Sequence, residues 1–363
     1  MARHILKNTC LLQSNSNLKL FICRMQSLVA SKLIYSQYGE PSKVLQRVDE
    51  ELGNLERNEI LIKMLAAPVN PADINTIQGT YAVKPELPAV GGNEGVGEVI
   101  NVGSDVTKFS LGDRVVPLVN ALGTWRSHLI VTEKNILKVP KELGLVEAAT
   151  ITVNPATAYR MLKDFVTLKE NDVVIQNGAN SACGQYVVQL CKAWGVVSVN
   201  IVRNRPNIED LKTYLKQLGA HYVLTEEELR QSTLFKSKTV PRPKLSLNCV
   251  GGKCATELMR QLAPGGTMVT YGGMSREPVT VATSALIFKD IRVVGYWMTR
   301  WSNVNADSPE RFKMYEELID LMKDGRLRGP AFQFVEFDDF KTAINNTLSA
   351  KGMVGKKYIL QFK

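Results

Sequence analysis

The stretch of this sequence with the clearest chemical meaning is DVVIQNGANSACGQYVVQLCKAWG, residues 172–195. It opens on an apolar run from Val173 to Gln176, passes through a loop of small residues and enters a helix-forming segment at about Gly184. A chain that turns from a buried strand into a helix in this way presents backbone N–H groups and a helix N-terminus, which is what a pyrophosphate requires. The loop is not GxGxxG, so the weight falls on its strand–loop–helix setting. The next strand-like run, VVSVNIVRNRP, ends where an NAD-binding chain would place a carboxylate to accept from the ribose hydroxyls. Arg203 and Arg205 stand there instead. A carboxylate would repel the 2′-phosphate of NADP, whereas a guanidinium makes charge-assisted hydrogen bonds of about 1.5–3 kcal/mol each. The expected cofactor is NADPH. Solvated loop arginines are the other reading, and the NADPH Michaelis constant of an Arg203→Ala, Arg205→Ala variant separates the two.

Other chemistries are poorly served. Six cysteines (Cys10, Cys23, Cys183, Cys191, Cys249, Cys254) include no CxxC pair, and three histidines are the only imidazoles, so no metal site is expected. The later four cysteines lie among apolar or small neighbours, as reduced core thiols do. The net charge of +10 comes from dispersed Lys and Arg, without a basic run interleaved with aromatics, and argues against nucleic acid. No apolar run reaches the roughly 18–20 residues needed to span a bilayer. Residues 1–39 contain no Asp or Glu, while Arg3, Lys7, Lys19, Arg24 and Lys32 are scattered among Leu, Ile, Ser and Asn. That composition reads as a mitochondrial transit peptide over residues 1–28.

A length of 363 residues suggests two domains. From Gln26 to about Asn154 the text is short β-prone segments, such as EILIKMLAA and HLIVTE, separated by Gly, Pro and Asn, which suggests a barrel-like module. After Pro155 amphipathic helices alternate with about six apolar strands, the pattern of a doubly wound parallel sheet. The tail from Asp307 does not extend that alternation and most simply returns to the first module. The expected organisation is therefore α/β: a catalytic domain of residues 29–155 and 300–363, with a Rossmann NADPH domain inserted at 156–299.

At this point the sequence resembles the mitochondrial 2-enoyl thioester reductases, zinc-free members of the medium-chain dehydrogenase/reductase superfamily. The likeness runs from about Ser31 to Lys363 and rests on VNPADINTIQGTYAVKPELPAVGGNEGVGEV, VNPATAYRML, QNGANSACGQ, VRNRP, LNCVGGK, GGTMVTYGGMS and IFKDIRVVGYW. The resemblance implies a GroES-like, partly open β-barrel around the Rossmann insertion. It also implies a homodimer that reduces trans-2-enoyl thioesters, on acyl-carrier protein or coenzyme A, in mitochondrial fatty acid synthesis in the matrix. Matched residue by residue, it puts cofactor contacts on Asn154, on Asn180, Ser181, Ala182 and Cys183, and on Arg203, Asn204 and Arg205. Further contacts fall on Tyr271, Gly272, Gly273 and Met274, on Tyr296, Trp297, Met298 and Thr299, and on Lys357. The family's proton donor matches Tyr81. Ala182 departs from the pattern, which has glycine there, so a methyl group is expected to crowd the pyrophosphate. Where zinc-dependent relatives carry Gly-His-Glu, this chain has Gly92, Asn93 and Glu94, which disfavours a metal-polarised alkoxide.

Reduction of an enoyl thioester needs a hydride at C3, stabilisation of the enolate and a proton at C2. A tyrosine hydroxyl, with a reference pKa of about 10, remains protonated at neutral pH and fits the last role. Tyr296 and Trp297 read equally as acyl-channel lining or as packing, and Trp125 reads as barrel packing. A quinone or enone reductase on the same fold and a non-catalytic NADPH-binding protein are the alternatives.

Overall fold

The computed structural model describes residues 28–348 and 355–363. The transit peptide expected over residues 1–28 lies, save for its last residue, outside them.

Residues 173–295 build a six-stranded, wholly parallel sheet. Across the sheet the strands run Tyr222–Thr225, Val197–Val202, Val173–Asn177, Leu245–Asn248, Thr267–Thr270 and Arg292–Gly295. Numbered along the chain, that order is 3-2-1-4-5-6, the doubly wound order expected from the alternation. Its strands are apolar on both faces because helices cover both. Val173 and Ile175 pack with Val199, Ile201 and Leu258 on one side, while Val174 joins Tyr186, Leu190 and Leu247 on the other. The strand order reverses between Val173–Asn177 and Leu245–Asn248, and the crevice at the carboxyl ends of those strands is where a ligand fits.

The remaining strands are largely antiparallel. Phe332–Glu336, Lys357–Gln361, Glu59–Pro68, Val96–Val102, Arg114–Pro117 and Ile136–Val139 follow one another across a second sheet, with His128–Thr132 paired alongside Glu59–Pro68. Gln46–Glu51, Val29–Tyr35 and Ala89–Val90 form a third. The second sheet is an open path, in keeping with the partly open barrel expected. Trp125 is fully buried against this body, as the packing reading required, and its indole N–H donates to the Pro68 carbonyl at 3.2 Å. Its ring explains the glycine pair before Asn93: a Cβ on Gly91 would stand 2.4 Å from it, and Gly92 sits at φ +95°, where a side chain is strained as well as blocked.

Two connections place the elements that matter for chemistry. The last strand runs antiparallel to Glu59–Pro68, and the Val69 N–H donates to the Tyr358 carbonyl at 2.9 Å, so Asn70 falls beside Lys357 although 287 residues separate them. A single core cluster runs from Ala66 and Val96 through Ala156, Tyr159 and Met161 to Val174 and Tyr186. The helix Asn154–Asp164 thereby packs between the two large sheets, with its first turn facing the space that separates them.

Candidate active site

That space is a cleft of about 180 Å³. One wall comes from the helix Pro71–Ile77 and the segment after it: Asn70, Pro71, Ala72, Thr76, Tyr81 and Val83, with Asn93 beside them. The opposite wall comes from Thr152, Val153, Asn154 and Thr157, from Cys183 and Tyr271 at the carboxyl end of the parallel sheet, and from Tyr296, Trp297, Met298 and Thr299. Tyr296 and Trp297 thus line the cleft, and Tyr296 also packs edge-on against Phe165 with ring centres 5.8 Å apart.

Tyr81 is held by the opposite wall. The Trp297 indole N–H donates to the Tyr81 hydroxyl oxygen at 2.8 Å, and the two rings meet edge to face, 6.0 Å apart at 86°. Burial raises the Tyr81 pKa above its ordinary value, against the opposing influence of hydrogen bonds from Trp297 and Thr299. The phenol is therefore protonated throughout the neutral range, with its oxygen held by the Trp297 N–H.

Behind Asn70 lies a buried polar cluster. The Asn70 amide N–H donates to one oxygen of Glu94 at 2.7 Å, and its carbonyl accepts from Asn154 at 3.3 Å and from the Lys357 ammonium. The second Glu94 oxygen accepts from the Val153 N–H at 3.1 Å. Asp73 closes a capping box at the start of the helix Pro71–Ile77, accepting from the Asn70 N–H at 2.7 Å, and takes the Asn93 amide at 2.5 Å on its other oxygen. Burial drives the pKa of both carboxyls up, to about 6 for Asp73, and that of Lys357 down.

The parallel sheet supplies a cradle. The helix Ala182–Ala193 starts two residues earlier than expected because Ser181 caps it, its hydroxyl accepting from the Gly184 N–H at 3.1 Å. Gly178 lies at φ +59°, where a Cβ would meet the Cys249 sulfur at 2.4 Å, so the loop closes against the next strand only with glycine there. The buried Tyr271 hydroxyl has no hydrogen-bond partner among the described residues and stands beside the Cys183 and Cys249 thiols, facing the cleft. A small-residue turn at the strand-order reversal, a capped helix N-terminus and an orphaned hydroxyl suit a dinucleotide. Burial pushes the thiols of Cys183 and Cys249 up to about 12 and 11, so both stay as unreactive thiols.

Two family models match: "Alcohol dehydrogenase GroES-like domain" over residues 56–141 and "Zinc-binding dehydrogenase" over residues 182–323. The mitochondrial enoyl-[acyl-carrier-protein] reductase of Rattus norvegicus is 50% identical over 330 residues, covering 90% of this chain and 87% of the relative. The chain belongs to the enoyl-[acyl-carrier-protein] reductase family. The Homo sapiens and Arabidopsis thaliana members are 48% and 42% identical, each over 90% of this chain and 87% of their own length. Among solved structures, the Etr1p complex with NADP and crotonyl-CoA superposes with a TM-score of 0.86 at 34% identity, covering 92% of this chain and all of that one. The Etr1p/Etr2p heterodimer of Candida tropicalis does so with a TM-score of 0.86 at 33% identity, with the same coverage. Despite the second model's description, no group of three or more His, Cys, Asp or Glu side chains could hold a metal ion among the described residues.

Within this reductase-family fold, the residues expected at the site divide by place. Tyr81, Asn154, Cys183, Tyr271, Tyr296, Trp297, Met298 and Thr299 converge on the cleft, and Lys357 reaches it through Asn70. Asn180, Ser181 and Ala182 lead into the helix beside Cys183, where Ala182 occupies the first turn. Gly272, Gly273 and Met274 continue from the strand Thr267–Thr270, with Gly272 against Cys249 and Met274 exposed. Arg203, Asn204 and Arg205 stand apart from the cleft, just past the neighbouring strand Val197–Val202, where burial and Arg203 together lower the Arg205 pKa. Sequence reasoning missed Asn70, Asp73 and Asn93, and gave Glu94 no role. Asn-Pro-x-Asp, a helix-start signature, and an acid in the glycine-rich loop ahead of the strand Val96–Val102 were the available signals.

Proposed function

We propose that this chain reduces the C2=C3 bond of trans-2-enoyl thioesters with NADPH, in the mitochondrial matrix, as a step of fatty acid synthesis. The observation that carries the reading is the Tyr81 hydroxyl, protonated and fixed by Trp297 in a cleft that is also lined by Cys183 and Tyr271 from the carboxyl end of the parallel sheet. It is supported by the family's activity and by Etr1p, solved with NADP and crotonyl-CoA.

Bound NADPH supplies the hydride that adds to C3. Tyr81 then donates its proton to C2, while Trp297 keeps the phenol oxygen in place as negative charge develops on it. The wall of Asn70, Asn154 and Thr157 orients the reacting groups and excludes water from the forming enolate. The turn of Asn180, Ser181, Ala182 and Cys183 receives the pyrophosphate, with Tyr271, Gly272, Gly273 and Met274 alongside. Arg203, Asn204 and Arg205 receive the 2′-phosphate, and Lys357 acts through Asn70. The catalytic domain is assigned to residues 29–155 and 300–363, with the cofactor domain at 156–299.

Two copies pair through the outer edge of the parallel sheet. The edge strand Arg292–Gly295 is largely exposed, and the neighbouring helix Thr283–Lys289 buries nothing, leaving Leu286, Ile287 and Phe288 in solvent, the last at 79%. An exposed strand edge beside apolar side chains is a surface that a second copy would cover. The acyl group is carried by acyl-carrier protein or by coenzyme A.

The test follows NADPH absorbance with trans-2-enoyl thioesters of graded length on either carrier, with a quinone control. Turnover of thioesters and not quinones is expected; NADPH oxidation by quinones alone would replace the proposal with a quinone reductase.

A further inference from the structure

The cleft wall behind Asn70 is built with more acid than base. Glu94 and Asp73 are 0% and 2% exposed, and the buried cation that faces both is Lys357, 6% exposed. The phenols of Tyr186 and Tyr315 also face Glu94, and the Cys183 thiol faces Lys357. With all three charged groups ionised the cluster carries one net negative charge; with one carboxyl protonated it is neutral. Burial penalises the uncompensated charge, so the proton is held, and most tightly on Glu94, whose pKa is pushed up to about 8. Only one residue's thickness separates Glu94 from the cleft. Asn70 and Val153 donate to its two oxygens at 2.7 and 3.1 Å, and both line that space.

The nicotinamide ring is neutral in NADPH and cationic in NADP⁺, so the charge in the cleft changes by one unit over the reaction. We propose that the Glu94 cluster is a redox-linked counter-charge: Glu94 holds a proton while the cleft contains NADPH and releases it to solvent when the cleft contains NADP⁺. The step is an acid dissociation, carboxylic acid to carboxylate plus a solvated proton, with no other bond made or broken. It leaves a buried negative charge beside a positive ring. The inference rests on the proposal that this cleft receives the nicotinamide, and it assigns Glu94 a charge role that touches neither substrate nor the proton delivered to C2.

Dissociation constants of NADP⁺ and NADPH are measured on the whole protein by calorimetry from about pH 6.5 to 9, in buffers of different ionisation heat. Coupling of one pKa unit corresponds to roughly a tenfold change in affinity. The ratio of the NADP⁺ to the NADPH constant is therefore expected to fall roughly tenfold as pH rises through the Glu94 transition, with more proton release on binding NADP⁺ than on binding NADPH. Titration of the 2′-phosphate, common to both nucleotides, cancels in the ratio and in that difference. In Glu94→Gln the ratio stays at its low-pH value at every pH and the difference in proton release disappears. Asp73→Asn removes the like charge and moves the transition to lower pH, a shift that a purely structural role would not produce, and it decides the matter should Glu94→Gln fail to fold. Binding of both nucleotides with a pH-independent ratio overturns the counter-charge alone. Failure of the wild-type protein to bind either nucleotide overturns the proposed function and this inference with it.

Discussion

Tyr81→Phe isolates a single oxygen. The ring remains, and with it the edge-to-face contact with Trp297 at 6.0 Å, so the cleft keeps its shape. Two things are lost. The first is the only proton donor assigned to C2, worth roughly 10²–10⁴ in rate, or about 3–5 kcal/mol of barrier. The second is the acceptor for the Trp297 N–H, which faces a carbon-bound hydrogen in place of the oxygen 2.8 Å away in the wild type. That donor is part-buried, so its loss costs stability at the low end of the roughly 1–3 kcal/mol of an unsatisfied group. The assay is NADPH consumption with a short trans-2-enoyl thioester, run beside NADPH binding and thermal unfolding. The expected result is a turnover number lower by roughly 10²–10⁴, an unchanged NADPH dissociation constant and a melting temperature reduced by a few degrees. A turnover number within about twofold of wild type, far from the loss of a general acid, would remove Tyr81 from proton transfer.

Arg203→Ala with Arg205→Ala is expected to raise the NADPH Michaelis constant at least roughly tenfold, as hydrogen bonds to a charged phosphate are lost, while leaving that for NADH unchanged; steady-state kinetics with both nucleotides check it. Trp125→Ala opens a cavity beneath Gly91 and Gly92 and should cost about 3–5 kcal/mol, read from denaturant midpoints. Because the folded pKa values of Asp73 and Glu94 are raised, to about 6 and about 8, the native state binds more protons than the unfolded chain from the ordinary carboxylate range up to those values. These two groups therefore lower stability as pH rises across that window, and Glu94→Gln should flatten the decline in urea midpoints. Phe288→Glu places charge on the exposed apolar helix and should shift the sedimentation coefficient towards that of a monomer without altering the fold.

The parallel sheet was legible because its signals are local. Val173 and Ile175 are apolar for one face and Val174 for the other, a periodicity carried by adjacent letters. The turn after Val173–Asn177 was legible for the same reason, except that Ser181, an ordinary small residue in the text, caps a helix that begins at Ala182, two residues before Gly184. Tyr81 could be named only by family resemblance, since its partner Trp297 lies 216 residues away. The buried cluster was not legible as a cluster. Asn154 and Lys357 were named only through the resemblance, and nothing in the text joined them to Asn70 and Glu94, which come from two other segments; tertiary pairing alone encloses the four.

The pairing of the final strand with Glu59–Pro68 has a consequence for how this protein is made. Lys357 emerges 287 residues after Asn70, so the cation that faces Glu94 and Asp73 arrives long after both acids. Until its strand pairs, the wall behind Asn70 holds a pair of acids without their base. A chain that has not yet paired this strand can form its parallel sheet but not a finished cleft, so docking of Lys357–Gln361 is itself the step that assembles the site, and contacts spanning 287 residues set its pace.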